Sequence, residues 1–105
     1  MPSTLTRVPI VELTFTALVF EWRGPAPHHF VAVPEGESAM LAAVSKAVTY
    51  GWGMIPVEVE VSGSQRTTAL WPRQGGYVVP LRADLRRETG ISTGDLVTVT
   101  IRVDI

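Results

Sequence analysis

Residues 77–103, YVVPLRADLRRETGISTGDLVTVTIRV, carry the reading that decides the fold. Tyr77-Val78-Val79 is a short β-forming run closed by Pro80, which has no amide hydrogen to give to a ladder. A short helix then spans roughly Ala83 to Thr89. Gly90 is placed to take the left-handed cap and Ile91 to fold back on Leu85, the apolar contact that accompanies such caps. Arg86 and Arg87 fall in the last turns, where positive charge suits the helix dipole. Ser92-Thr93-Gly94-Asp95 reads as a polar turn. Val97, Val99, Ile101 and Val103 then alternate with Thr98, Thr100 and Arg102, the pattern of a strand with one face buried.

Upstream, Thr67 to Trp71 reads as a strand and Pro72 to Gly76 as the turn joining it to Tyr77 to Val79. The second half is therefore strand, strand, helix, strand. The first half runs in the same order. Glu12 to Trp22 begins with Leu13, Phe15 and Ala17 on one face, then shifts its apolar phase to Leu18, Phe20 and Trp22, which calls for a bulge or burial on both faces. Arg23-Gly24-Pro25-Ala26-Pro27 cannot continue a ladder and leads to a second strand, His29 to Val33, in an antiparallel hairpin. Pro34 ends it, Ser38 can cap a helix, and Met40, Leu41, Val44, Ala47 and Val48 recur at helical spacing until Gly51. Val57, Val59 and Val61 alternate with Glu58 and Glu60 as a further strand, and Gly63-Ser64 turns the chain.

The halves also share words. Thr16-Ala17-Leu18 matches Thr68-Ala69-Leu70, Phe30 to Pro34 matches Gly76 to Pro80, and Val57 to Val61 matches Val97 to Ile101. One unit alone would expose a sheet face, whereas two units bury their faces against each other. The expectation is a mainly β fold with two capping helices: a double-split β-barrel of two strand-strand-helix-strand units related by a pseudo-two-fold axis. Residues 1–105 form a single domain, with an N-terminal arm over 1–10, a first repeat over 11–63 and a second over 66–105.

The 105 residues are 46% hydrophobic and 18% charged, enough for one core and too few for two. The absence of cysteine removes disulfides, thiol catalysis and thiolate metal sites, and is compatible with a reducing cytoplasm. No stretch approaches the roughly 18 apolar residues of a membrane span. A cytoplasmic chain with no membrane partner is expected. The net charge of −1 gives no overall attraction to nucleic acid, although the chain beyond Gly63 carries six arginines against four acids.

Several of these residues carry a family resemblance. Leu70-Trp71-Pro72, Gly75 to Leu81, Leu85-Arg86, Gly90-Ile91 and Gly94 to Val97 resemble the C-terminal signature of the bacterial domain of unknown function 1905 family. Trp22, Val31 to Pro34 and Gly53 to Val57 also fit its pattern. Ala69 stands where members often have serine, and Arg82 where they often have lysine. The resemblance implies a helix-capped double-split barrel and no established activity. Pro80 to Ile101 is also similar to the DNA-binding domains of AbrB-type regulators, which build a comparable swapped-hairpin barrel from two short chains.

No pattern in the chain carries a catalytic or cofactor signature. His28 and His29 are adjacent, so on a strand they point to opposite faces and cannot readily share a metal. Asp84 and Glu88, four apart beside Arg86 and Arg87, read as surface charge. Gly75-Gly76 lacks the lysine-serine ending of a phosphate loop and reads as a hairpin turn. The best candidate ligand surface is Trp71 and Tyr77 flanking that turn, with Arg66, Arg73 and Arg82, since rings beside guanidinium groups can hold an anion, a base or a peptide. The competing reading makes Trp71 and Tyr77 cross-strand partners that stabilise the hairpin. No cofactor or metal is expected. The function expected is a non-catalytic binding or accessory module for a small molecule or a protein. The alternatives are a DNA-binding regulator, in which nucleic acid is the partner, and an enzyme of unrecognised type.

Overall fold

The computed structural model describes residues 11–23, 28–48 and 54–103. The expected N-terminal arm, Gly24 to Pro27, the Gly51 stop, Trp52, and the side chains of Val44, Ala47 and Val48 lie outside the described residues. The elements are β1 (Val11–Trp22), β2 (His28–Ala32), α1 (Glu35–Val48), β3 (Ile55–Val61), β4 (Ser64–Arg73), β5 (Gly76–Pro80), α2 (Ala83–Thr89) and β6 (Leu96–Val103). The strands close an antiparallel barrel in the order β1-β2-β5-β4-β3-β6. No helix among the described residues is long and apolar enough to cross a membrane.

The period-2 alternation does what it dictates. Val57, Val59, Val61, Val97, Val99 and Ile101 are buried and join Leu13, Phe15, Val19, Val31 and Val79 in one hydrophobic core. Outside, Thr14 bonds Thr100 and Thr16 bonds Thr98, each at 3.0 Å. Beside them Arg102 reaches Glu12, Glu58 and Glu60 at 2.7 to 3.0 Å.

β1 and β4 each serve two neighbours. β1 pairs with β6 from Val11 to Leu18 and with β2 from Val19 to Trp22. β4 pairs with β3 from Ser64 to Leu70 and with β5 from Trp71 to Arg73. The register of β1 contains no bulge, and the phase-shifted residues are not buried on a second face either: Val19 faces the core, while on the outer face Leu18 and Trp22 are exposed and Phe20 is half-buried. The Ser92 to Asp95 turn is tied to the hand-over, with Val19 N donating to the Asp95 carbonyl at 2.9 Å and Gly94 N to the Val19 carbonyl at 2.8 Å. One pair of matching words is out of phase, because Leu18 is 59% exposed and Leu70 is fully buried.

Both tight hairpins turn one residue earlier than their glycines suggest. Ser62-Gly63 and Gln74-Gly75 have φ near 51° and 80°, the left-handed pair that matches strand twist in two-residue loops. α1 starts at Glu35, so Ser38 is not its cap. Ser38 lies buried in the first turn, where its hydroxyl donates to the Val33 carbonyl at 3.2 Å. A Cβ on Gly76 would meet that hydroxyl at 3.3 Å, so the missing side chain lets α1 approach β5. Leu41 is buried beneath α1, whereas Met40 points to solvent. α2 ends as expected, with Gly90 at φ 75° donating its amide to the Arg86 carbonyl.

Candidate ligand surface around Trp71

The five candidate residues divide into three places. Arg66 is a clamp. Its guanidinium bonds Asp84 at 3.0 Å and Glu88 at 2.5 Å, and its remaining nitrogen donates to the Gln65 carbonyl, fastening α2 to β4. Asp84 and Glu88 are surface charge, as their spacing implies, and they are also the clamp's partners; Ser64 adds a hydroxyl bond to Glu88. Tyr77 faces the other way from Trp71. The register pairs it with Pro72, and it packs against the core. Trp71 pairs with Val78 on the outer face, so Trp71 and Tyr77 are not cross-strand partners.

Trp71, Arg73 and Arg82 do come together, around one aromatic ridge. From β1 and β2, on the far side of β5, Phe20, Trp22, His28 and Phe30 occupy the same outer face. The Trp71 ring centroid lies 5.1 Å from Phe30 and 5.5 Å from His28, both edge-on, and His28 stacks on Trp22 at 6.5 Å. Arg73 lies over Phe20 at 5.3 Å, a cation held on a ring face. Trp71 is the wall between two hollows. On one side is an apolar slot of about 210 Å³ with Trp22, Phe30 and Arg73. On the other is a groove of about 480 Å³ lined by His28, Met54, Thr67, Thr68, Ala69, Pro80 and Arg82. Ala69 and Arg82, the two departures from the pattern the chain resembles, therefore share this groove. A third hollow of about 510 Å³ lies under α1 between Ser38, Tyr77 and the β4–β5 turn, with Glu35 and Arg73 both in its lining.

Arg73 and Arg82 form no ion pair with a described residue, unlike Arg66 and Arg102. Uncompensated guanidinium groups beside ring faces can receive a carboxylate or phosphate without first breaking an internal pair. Among the described residues no three His, Cys, Asp or Glu side chains gather to hold a metal ion. The aromatic neighbours of Trp71 were missed in the sequence, although their signal was present. Phe20 and Trp22 caused the phase shift in β1, and His28 and Phe30 repeat that parity in β2.

The clamp has a pH consequence. Hydrogen bonding to Arg66 holds Asp84 and Glu88 below the ordinary carboxylate range, with Ser64 contributing at Glu88. Because the folded values lie below the unfolded ones, the stabilisation is present above the ordinary range and is lost as pH falls through the folded values. Between about pH 5 and pH 2 wild type should lose more stability than Arg66→Met, read from urea midpoints across that interval. Identical slopes would show that the clamp contributes nothing to the fold.

The chain matches no curated protein. A family model described as a domain of unknown function, DUF1905, matches residues 15–101, from the Phe15 position of β1 to Ile101 of β6. With nearly every described strand inside that match, the chain belongs to the domain of unknown function 1905 family.

Proposed function

We propose that this domain is a non-catalytic binding module whose ligand surface is the Trp71 ridge with Arg73 and Arg82. The observation that carries the reading is the placing of one half-buried tryptophan between two hollows, each with an arginine that has no acid partner among the described residues. Binding sites are typically concave and largely apolar, with a few oriented polar groups. Duplex DNA is less favoured as a partner. Of the arginines such binding would use, Arg66 is neutralised by Asp84 and Glu88, and Arg86 donates to the Leu81 carbonyl.

The same reading includes an internal duplication. Exchanging β1 with β4, β2 with β5 and β3 with β6 leaves every strand's neighbours unchanged. Two of the three shared words support it further: the equivalent residues Ala32 and Val78 pair directly, as do Glu60 and Thr100.

A thermal-shift screen with metabolites, nucleotides and short DNA tests the function, since a ligand bound only by the folded state raises its apparent stability. A true ligand should shift wild type more than Arg73→Ala or Arg82→Ala, because a lost charge-assisted bond costs about 1.5 to 3 kcal/mol of binding. The free variants should melt nearly as wild type does, as both side chains are exposed. Equal shifts in all three proteins would move the site elsewhere, and binding of DNA that weakens steeply with salt would favour the regulator reading.

A further inference from the structure

We infer that the groove between Trp71 and Arg82 takes a small planar aromatic anion, one ring system carrying a phosphate or carboxylate, an assignment that rests on the reading above. The groove's volume, about 480 Å³, suits a single small molecule. One wall is the Trp71 indole, fixed edge-on by Phe30 and His28, with Pro80 also in the lining. A ring held that way offers a stacking surface without the cost of ordering it on binding. The polar side consists of donors: the Arg82 guanidinium with the hydroxyl of Thr67, which shares the outer face of β4 with Trp71. No acid is among the described residues that line it, so its electrostatics select a negative ligand.

The charge pattern also selects a small molecule over a strand of nucleic acid. A single-stranded polymer needs a basic track along successive phosphates. Among the described residues the groove's one guanidinium is that of Arg82, Arg73 lies across the Trp71 ridge, and the chain's net charge is −1. One stacking wall and one guanidinium fit one ring and one anionic group.

The test is a fluorescence titration of the full chain, checked by calorimetry, with adenosine monophosphate, guanosine monophosphate and 1-naphthoate. Adenosine, inorganic phosphate and an oligothymidylate serve as controls. At least one aromatic anion should bind, and whichever of the nucleotides or the naphthoate binds more tightly identifies the source of the anion. Arg82→Gln and Trp71→Ala should each weaken that binding at least tenfold. Trp71→Phe should restore most of it, which separates loss of the ring from loss of the fold, and Arg87→Gln, an exposed arginine of α2 outside the groove, should change it less than threefold. The inference is overturned if no aromatic anion binds at about 1 mM, if phosphate alone binds as tightly, if the oligonucleotide binds more tightly than the monomers, or if Arg82→Gln has no effect. A neutral ligand from the screen that is lost in Trp71→Ala would overturn the anion assignment while leaving the Trp71 surface in place.

Discussion

Leu70→Ala should cost about 2 to 5 kcal/mol of folding stability, the range for truncating a fully buried leucine that leaves a cavity behind. Leu70 is wholly inaccessible and pairs with Ile55, also wholly inaccessible. It is the last β4 residue on β3 before Trp71 takes up β5, so the void would open where the strand changes partners. Little there can collapse, since both flanking pairings fix the backbone. Against a typical total of about 5 to 15 kcal/mol, the loss is a large part of the fold's margin. Urea melts should show the midpoint moved with the slope kept. Leu18→Ala is the matched control, because Leu18 holds the corresponding place in the shared word yet is exposed, and its effect should stay within about 0.5 kcal/mol. Equal losses in the two variants would mean that the words are structurally equivalent after all.

That contrast shows where sequence patterning stops. Val57 to Val61 and Val97 to Val103 were legible because strict alternation with charged and hydroxyl residues admits one solution, a strand with one wet face. The α2 boundary was legible because Gly90 answers a backbone requirement that few other residues meet. The Trp71 and Tyr77 pairing was not. Facing Trp71 with Tyr77 requires the odd-length turn Pro72 to Gly76; the turn that forms is the two-residue Gln74-Gly75, and this one-residue change of register sends a side chain to the opposite face. Tyr77 thereby goes to the core side, and Val78 becomes the partner of Trp71. Nor could the role of Arg66 be read locally. Its acids lie 18 and 22 residues away and reach it only once α2 has docked on β4. The candidate surface was thus half legible, since arginines and an indole near one turn could be named, while the ring system that holds the indole comes from two other strands.

Phe30→Ala should combine the two themes, costing about 3 to 5 kcal/mol of stability and also disabling the ligand surface. Phe30 has outer-face parity, yet it is only 4% exposed. The burial comes from rings, since Phe20 and His28 lie 5.9 Å away and Trp71 lies 5.1 Å away. Aromatic pairs of this kind contribute about 0.5 to 1.5 kcal/mol each beyond their buried area. Removing the ring therefore takes away both a packed side chain and the edge contact that orients Trp71. Phe30→Leu separates the parts, because leucine keeps much of the apolar volume and loses only the ring. Its stability should fall less than that of Phe30→Ala, while its effect on ligand binding should approach that of Phe30→Ala. Denaturant midpoints paired with titration of the ligand found in the screen supply both readings. If Phe30→Leu binds as wild type does, the orientation of Trp71 does not depend on the ring beneath it, and the ridge is held by the β4–β5 hairpin alone.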